Sequence, residues 1–358
     1  MTRLVVGCMT GTSIDGIDAA LVRISGHGLR MKAKLIAHTH RPLGRCAKAL
    51  RALSQGEPLS AADITRANTD FAQRHIDAVS VVAKSRTLDL ICVHGQTVFH
   101  EPPLSWQLMN AAPIAAAFGV PVVHDLRSAD IAAGGQGAPL TPLADYILFR
   151  SNMPRAIVNL GGYCNITTLP GRGGTSNDVR GLDVCVCNLL LDRIARDRLH
   201  IPFDRGGKGA ARGEVHGSCR AALLKSLQRQ SRSGRSLGSG DECADWIDAF
   251  SRRVSPHDML ATAIDVIGEL IAQFCSGNRD IIVAGGGAKN RSLVAAIEGH
   301  AGCARVRKTD DLGVSVDARE AVCFAILGAL AHDGVPVSLP QVTGVKKAPR
   351  AGSFTVAP

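Results

Sequence analysis

The first segment of the chain has an apolar, a polar and a second apolar stretch in a pattern typical of a β-hairpin. Leu4 to Met9 is apolar, a turn rich in Gly, Thr, Ser and Asp follows, and Ile17 to Ile24 is apolar again. Glycines let a backbone approach a ligand closely, and consecutive N–H groups suit phosphate oxygens. Asp15 and Asp18 would suit a divalent cation bound to such phosphates. An ordinary hairpin with a polar tip is the alternative, but two carboxylates and three hydroxyls favour a nucleotide-phosphate site.

Further along, the periodicity alternates between short buried strands and longer amphipathic helices, which is typical of an α/β protein. Capping residues mark two of the helix starts, Ser60 with Asp63, and Ser255 with Pro256 and Asp258. The predicted strands are 31–41, 89–93, 120–123, 156–160, 163–169 and 280–284. The predicted helices are 60–84, 139–149, 188–199, 255–275, one from about 290, and 320–331.

Polar residues follow two of the predicted strands, where open α/β sheets bind ligands. His94 and Gln96 come after strand 89–93, and Arg127 comes after strand 120–123. The guanidinium of Arg127 offers paired donors that suit a carboxylate. His94 could equally be a structural histidine that bonds a backbone carbonyl. Arg127 could instead form a salt bridge with Asp125 or Asp130.

Two further glycine clusters follow strands in the second half of the chain. Gly161 and Gly162 lie between strands 156–160 and 163–169, which resembles the opening hairpin. Gly285, Gly286 and Gly287 separate a strand from a helix, where a ring or a ribose could lie against the backbone. The triple glycine lacks the G-x-G-x-x-G spacing of dinucleotide sites, so it is a weak signal when taken alone.

Composition narrows the functional class. A chain of 358 residues suggests about two domains at roughly 150 residues each. The net charge is +10, but the basic residues are dispersed and only 4% of residues are aromatic, which disfavours nucleic-acid binding. No apolar run of membrane-spanning length occurs, and the eleven cysteines are scattered. We expect a cytoplasmic protein with no membrane or nucleic-acid partner.

Three longer motifs resemble one family. Gly7 to Asp18 fits G-x-M-[ST]-G-T-S-x-D-G-x-D, residues 94–102 read HGQTVFHEP, and Asp125 to Leu140 fits D-x-R-x-x-D-x-x-x-G-G-Q-G-A-P-L. This set resembles the anhydro-N-acetylmuramic acid kinases of the actin-like ATPase and sugar-kinase superfamily. The resemblance implies an α/β, two-lobed fold: two RNase H-like units of mixed sheet flanked by helices, with a cleft between them. The expected lobes are 1–127 with about 341–358, and 128–340.

The resemblance also implies a reaction, its cofactors and its residues. It implies an ATP- and Mg²⁺-dependent kinase that opens 1,6-anhydro-N-acetylmuramic acid and phosphorylates O6, acting as a homodimer. Asp183 would be the catalytic base, and Mg²⁺ would accompany ATP near Asp15 and Asp18. The implied ATP-binding residues are Gly11, Thr12, Ser13, Ile14, Asp15, Gly16, Ile17, Asp18, Gly161, Gly162, Gly285, Gly286, Gly287 and Asn290. The implied sugar-binding residues are His94, Gln96, Arg127, Asp130 and Glu320.

The chain departs from the family pattern in three places. Val184 to Cys187 replace T-G-P-G between Asp183 and Asn188, residues 233–246 lack the S-T-G-R-E-x-F stretch, and Met109-Asn110 replace Gly-Asp. Cys185 and Cys187 could be a metal or redox pair, although they lack nearby partner ligands. Glu320 could be a helix N-terminal acid favoured by the dipole. The departures leave two alternatives open: a kinase of another anhydro or plain sugar, and a nucleotide-binding sensor without catalysis.

Overall fold

The computed structural model describes residues 2–11, 13–232, 237 and 241–357. Thr12 of the predicted ATP site therefore lies outside the described residues, as do residues 233–236 and 238–240 of the second departure from the family pattern. None of the helices in the described ranges has the length and apolar character that crossing a membrane requires.

Strands and helices alternate along the described residues. The strands are Thr2–Met9 (β1), Gly16–Ser25 (β2), Lys32–Pro42 (β3), Leu90–Val93 (β4), Gln96–Glu101 (β5), Leu104–Leu108 (β6), Val122–His124 (β7), Arg155–Leu160 (β8), Tyr163–Leu169 (β9), Arg180–Val186 (β10), Asp280–Ala284 (β11), Arg305–Lys308 (β12) and Ser353–Thr355 (β13). The helices are Cys46–Ser54 (α1), Ala61–Ala83 (α2), Ala112–Phe118 (α3), Ser128–Ala132 (α4), Thr141–Phe149 (α5), Asn188–Leu199 (α6), Gly217–Arg232 (α7), Ala244–Phe250 (α8), Pro256–Phe274 (α9), Arg291–His300 (α10), Arg319–His332 (α11) and Pro340–Thr343 (α12). Short 3-10 turns include Arg205–Gly207 and Gly286–Lys289.

The chain divides into two compact units, Met1–Phe149 with Asp317–Pro358, and Arg150–Val316. This division differs from the predicted boundaries, because residues 128–149 and 317–340 belong to the first unit. Two helices account for the difference. A buried ion pair between Asp145 and Arg319 joins α5 to α11, and α11 packs against β1, β2 and β4. The tail returns to the first unit as predicted, since β13 pairs with β7.

Both units share one sheet plan. The first has the strand order β13-β7-β4-β1-β2-β3 and the second has β10-β9-β8-β11-β12. In each, a hairpin and a third strand run antiparallel, and one hairpin strand continues into a parallel set of three: β1, β4 and β7 in one unit, β8, β11 and β12 in the other. The α/β class with two units of mixed sheet is therefore confirmed, as are both predicted hairpins. β5 and β6 form a separate antiparallel pair that the sequence did not predict.

Each unit has its own apolar core. In the first, Val6 and Cys8 on one face of β1 pack with Phe71 and Val79 of α2, while Gly7 on the opposite face contacts α11. In the second, α6, α7 and α9 supply buried residues that cover β8 to β11. Because helices cover the sheets, the central parallel strands β4 and β11 are nearly all apolar and buried, whereas the edge strand β12 carries three basic residues. Several of the candidate site residues follow the ends of such strands.

Candidate nucleotide and sugar sites

The turn between β1 and β2 is held by backbone contacts and by the side chain of Arg51. The Ile14 amide donates to Gly11 O at 3.3 Å, and Arg51 Nη2 donates to Ile14 O at 2.8 Å. Ser13 Oγ donates to Asp15 Oδ1 at 2.8 Å. The side chains of Ile14 and Ile17 are buried in the core, so only their backbone atoms could serve the ATP-binding role that the sequence predicted for them.

Asp18 lies at the start of β2 and receives two imidazoles that the sequence reasoning missed. His38 Nε2 and His40 Nδ1 of β3 lie 3.0 and 3.2 Å from Asp18 Oδ1. The pairing of β2 with β3 places His40 directly opposite Asp18. The signal in the sequence was the alternation of His38 and His40, which puts both rings on one face of a strand. Across the described residues, no group of three or more His, Cys, Asp or Glu is arranged to hold a metal ion.

A buried polar cluster lies at the carboxyl ends of the parallel strands β4 and β7. His94 follows β4, and its Nε2 accepts from Gln107 Nε2 at 2.9 Å and from Arg127 Nη2 at 3.0 Å. Burial, with Arg127 beside it, lowers the pKa of His94 to about 3. A ring that accepts two donors at Nε2 is neutral, so His94 orients Arg127 and carries no charge of its own.

The same cluster contains buried polar atoms that have no hydrogen-bond partner among the described residues. These atoms are Thr10 Oγ1, Gln96 Oε1 and Gln107 Oε1. Gln96 donates from Nε2 to Thr97 O at 3.1 Å, which leaves its carbonyl oxygen unused. Unsatisfied buried polar groups are uncommon and often mark a ligand site. Gln107 belongs to this cluster but was absent from the predicted site, because only the register of β5 with β6 brings it to His94 and Thr97.

The carboxylate of Asp130 is surrounded by protein groups, whereas a residue that binds sugar directly would need an accessible carboxylate. Its side chain is fully buried, and its two carboxylate oxygens accept from the Gly137 amide at 2.8 Å and from Thr343 Oγ1 at 2.9 Å. The Gly135 amide also donates to its backbone oxygen at 2.8 Å. These contacts favour a role for Asp130 in shaping the loop that carries Gly137, whose oxygen accepts from Arg127 Nη1 at 3.1 Å.

Glu320 lies in the first turn of α11 and is partly exposed. Its neighbour Arg319 is fully buried and pairs with Asp145. Burial alone would lower the pKa of Arg319, but the Asp145 carboxylate beside it raises that pKa above its usual value. This ion pair anchors the start of α11. Glu320 therefore sits on a fixed helical turn, although it belongs to the first unit and not to the second as predicted.

In the second unit, the glycine turn after β8 contacts the start of α6. The Asn188 amide donates to Gly161 O at 3.1 Å, and the Cys187 amide donates to Gly162 O at 2.8 Å. Asn188 Nδ2 donates to Leu160 O at 2.9 Å. β8 and β10 run in the same direction in the sheet, so both end at this edge. Asn188 thus joins the predicted phosphate turn through its backbone and its side chain.

The glycines after β11 lie against the same turn. A Cβ added to Gly285 would come within 2.9 Å of Asn159 Oδ1, and one added to Gly287 within 2.7 Å of Leu160 Cβ. Gly285 also has a φ of +80°, which glycine adopts without strain. Asn290 caps α10 by accepting from the Leu293 amide at 3.1 Å. The structure therefore brings together two of the predicted ATP segments, Gly161–Gly162 and Gly285–Gly287.

Asp183 lies within β10, where it pairs with Asn165. The Leu237 amide donates to its Oδ2 at 3.0 Å. Val184 to Val186 continue β10 toward α6, Cys187 directly precedes that helix, and all four residues are fully buried. Four residues therefore separate Asp183 from the start of α6, so it lies beyond the reach of that helix's dipole.

The two cysteines of this segment have the chemistry of core residues. Burial raises the pKa of Cys187 to about 12 and raises that of Cys185 well above its usual value. Thiols with raised pKa values stay protonated, and the thiolate is the form that binds metals and reacts. The interpretation of Cys185 and Cys187 as a metal or redox pair therefore has no support from their surroundings.

Comparison with known proteins gives one family. The family model described as anhydro-N-acetylmuramic acid kinase matches residues 3–357. Proteins of that name are 36% identical in Salinibacter ruber, covering 99% of this chain and 96% of the relative, and 33% identical in Caldanaerobacter subterraneus subsp. tengcongensis, covering 96% and 94%. A third, from Rippkaea orientalis, is 35% identical and covers 98% of both chains.

One solved structure shows a distant likeness to this chain. A ROK family glucokinase from Streptomyces griseus covers 91% of this chain and is covered to 99%, with a TM-score of 0.40 and 14% identity. A likeness at this level says nothing about function. The family match over residues 3–357 and the identities above 30% are sufficient to assign the chain to a family. This chain belongs to the anhydro-N-acetylmuramic acid kinase family.

Proposed function

We propose that this protein is an ATP-dependent kinase that opens 1,6-anhydro-N-acetylmuramic acid with water and phosphorylates O6, giving N-acetylmuramic acid 6-phosphate. The observation that carries the proposal is the family match over residues 3–357. The opening hairpin and the polar strand ends of both units agree with it. A cytoplasmic location and a homodimer stay predictions.

The nucleotide would bind to backbone-rich turns in both units. In this proposal the turn from Gly11 to Asp18 and the turn at Gly161–Gly162 bind phosphates, while Gly285–Gly287 and Asn290 bind the adenosine. Support comes from the contact of Asn188 with the second turn and from the close packing of Gly285 and Gly287 on Leu160. Phosphoryl transfer depends on positioning and charge neutralisation, which such turns supply.

Mg²⁺ fits the first turn by the chemistry of its donors. Carboxylates are preferred Mg²⁺ ligands, and both hydrogen bonds that the described residues make to the Asp18 side chain end on Oδ1, which leaves Oδ2 to a ligand. Asp15 and Asp18 would hold the ion. When bound, Mg²⁺ neutralises charge on the phosphates during transfer.

The sugar would be bound by the cluster around His94. Arg127 is held at two points, by His94 Nε2 and by Gly137 O, so its guanidinium is oriented before substrate arrives. In this proposal the Arg127 guanidinium binds the lactyl carboxylate of the substrate, because its paired N–H donors match the two carboxylate oxygens. Gln96, Gln107 and Glu320 supply further polar groups. Asp130 acts indirectly, through the loop that it holds.

Asp183 would act as the base. It accepts a proton from water as the water oxygen bonds to C1, and the bond from C1 to O6 breaks. The freed O6 then bonds to the γ-phosphorus, and ADP leaves. The Leu237 amide orients the carboxylate for this task. General-base catalysis of this kind contributes about 10²- to 10⁴-fold.

The buried segment from Val184 to Cys187 leaves two alternative functions that an experiment must distinguish. It stands where the family pattern has T-G-P-G, next to the proposed base, so the enzyme could prefer another anhydro or plain sugar, or could bind ATP without catalysis. ATP consumption with anhydro-N-acetylmuramic acid, levoglucosan and N-acetylglucosamine distinguishes them. The proposal expects ADP release with the first sugar only. ADP release with one of the other sugars would mean that this sugar is the substrate. Tight ATP binding without any sugar-dependent ADP release would identify a nucleotide-binding sensor.

A further inference from the structure

Two histidines of β3 converge on the carboxylate of Asp18. His38 Nε2 and His40 Nδ1 both contact the same oxygen, Oδ1, at 3.0 and 3.2 Å. An imidazole N–H donates to a carboxylate oxygen, so these two nitrogens carry the protons. The Asp18 side chain is 29% exposed. One oxygen is therefore fixed by two donors, while the other has no partner among the described residues.

The backbone of the hairpin is built to admit this arrangement. A Cβ added to Gly16 would lie 2.3 Å from Cε1 of His40 and 2.7 Å from Arg41 O. Gly16 thus leaves room for the His40 ring beside the phosphate turn. Since Asp18 pairs with His40 and Ala20 pairs with His38, all three polar side chains lie on one face of the sheet, at the end next to that turn.

We propose that His38 and His40 are positioning residues that hold Asp18 Oδ1 and so direct Oδ2 to the Mg²⁺ of bound nucleotide. The inference rests on the proposed function. A carboxylate that rotates freely loses entropy when it binds an ion, whereas a carboxylate fixed by two donors is already oriented. Loss of such outer partners typically costs about 10- to 100-fold in metal affinity or activity.

The test uses the full chain and measures binding by titration calorimetry of the ATP analogue AMPPNP, with Mg²⁺ and with EDTA. H38A and H40A should weaken binding of Mg·AMPPNP about 10-fold each and leave metal-free binding unchanged. H38Q and H40N place an amide N–H near the lost ring nitrogen, so they should restore most of the affinity. A merely structural role would lower stability in the alanine variants without changing the Mg²⁺-dependent part of binding.

His27 provides the matched control. It makes a similar contact with a carboxylate of the same unit, Asp333 Oδ1 at 3.1 Å, just beyond the opposite end of β2. H27A should bind Mg·AMPPNP like the wild type. The inference is overturned if H38A and H40A bind like the wild type, or lose equal affinity with and without Mg²⁺. A wild-type protein that binds no adenine nucleotide would instead overturn the proposed function.

Discussion

Two buried histidines of the first unit are held neutral by their surroundings. His75 donates from Nδ1 to Phe71 O at 2.9 Å, and its Nε2 has no partner among the described residues. Burial, opposed only by the bond to Phe71, lowers the pKa of His75 to about 4. His94 is neutral for the same main reason, with Arg127 adding to the effect. A neutral His94 is what allows its ring to accept from Arg127.

These histidines should destabilise the fold in mild acid. Below a pH of about 6.5, the unfolded chain binds a proton at His75 that the folded chain refuses until about pH 4. The free energy of unfolding should therefore fall as the pH drops through that window, by up to roughly 3 kcal/mol for this residue. H75L removes one of the two titrating groups, so it should lessen the dependence of the unfolding free energy on pH between 6.5 and 4, as measured by urea unfolding at each pH.

The exposed His332 at the end of α11 serves as the control. H332L should keep the wild-type dependence of the unfolding free energy on pH. An H75L slope equal to that of the wild type would show that His75 does not carry this acid sensitivity.

At the scale of elements, α11 organises the first unit by lying very close to the sheet. A Cβ on Gly7 of β1 would lie 2.0 Å from Ala321 O and 2.3 Å from the Ala325 amide nitrogen. Gly328 of α11 makes a similar approach to Cys92 of β4. Both contacts require glycine, and they place the first turn of α11, which carries Glu320, against the strands that carry the phosphate turn and His94.

Gly7 should therefore tolerate no side chain. G7A forces a methyl group against backbone atoms that cannot rotate away, so we expect a loss of about 3 kcal/mol in the free energy of unfolding. G11A adds a Cβ whose nearest neighbour is Ser13 Oγ at 3.7 Å, and its unfolding free energy should stay within about 0.5 kcal/mol of the wild type. Equal stability of the two variants, measured by urea unfolding, would contradict the packing described here.

The elements that local sequence signals define were predictable, and those that depend on register were not. Ser60 and Ser255 cap their helices as their sequence spacing indicates. Asp18 meets His38 and His40 only through the pairing of β2 with β3, which no local pattern specifies. Where the family pattern has T-G-P-G, the β-branched and thiol side chains of Val184, Cys185 and Val186 continue the buried end of β10.

At the scale of the whole molecule, one sheet plan is used twice, and the two copies differ in how the chain completes them. The second unit is a single continuous segment with its own core. The first needs its C-terminal segment, because α11 covers β1, β2 and β4, and β13 pairs with β7. The fold is therefore discontinuous in sequence for one unit only.

This asymmetry predicts how fragments behave. Residues 150–316 expressed alone should fold, with helical circular dichroism and cooperative thermal unfolding, since their apolar core is complete. Residues 1–149 alone should not, because the face of β1 and β4 that α11 covers would be exposed to water. An unfolded 150–316 fragment, or a cooperatively folded 1–149 fragment, would contradict this division of the chain.

In the proposed reaction, the Asp183 carboxylate prepares water for attack on the sugar, while other residues bind the nucleotide and the sugar. D183N keeps the shape of Asp183 but cannot accept the proton, whereas D178N alters an exposed carboxylate bonded to Thr175. The direct test is ADP release with 1,6-anhydro-N-acetylmuramic acid, alongside AMPPNP binding. We predict that D183N lowers sugar-dependent ADP release by about 10³-fold with unchanged AMPPNP affinity, and that D178N matches the wild type. Sugar-dependent ADP release by D183N at the wild-type rate would contradict the account.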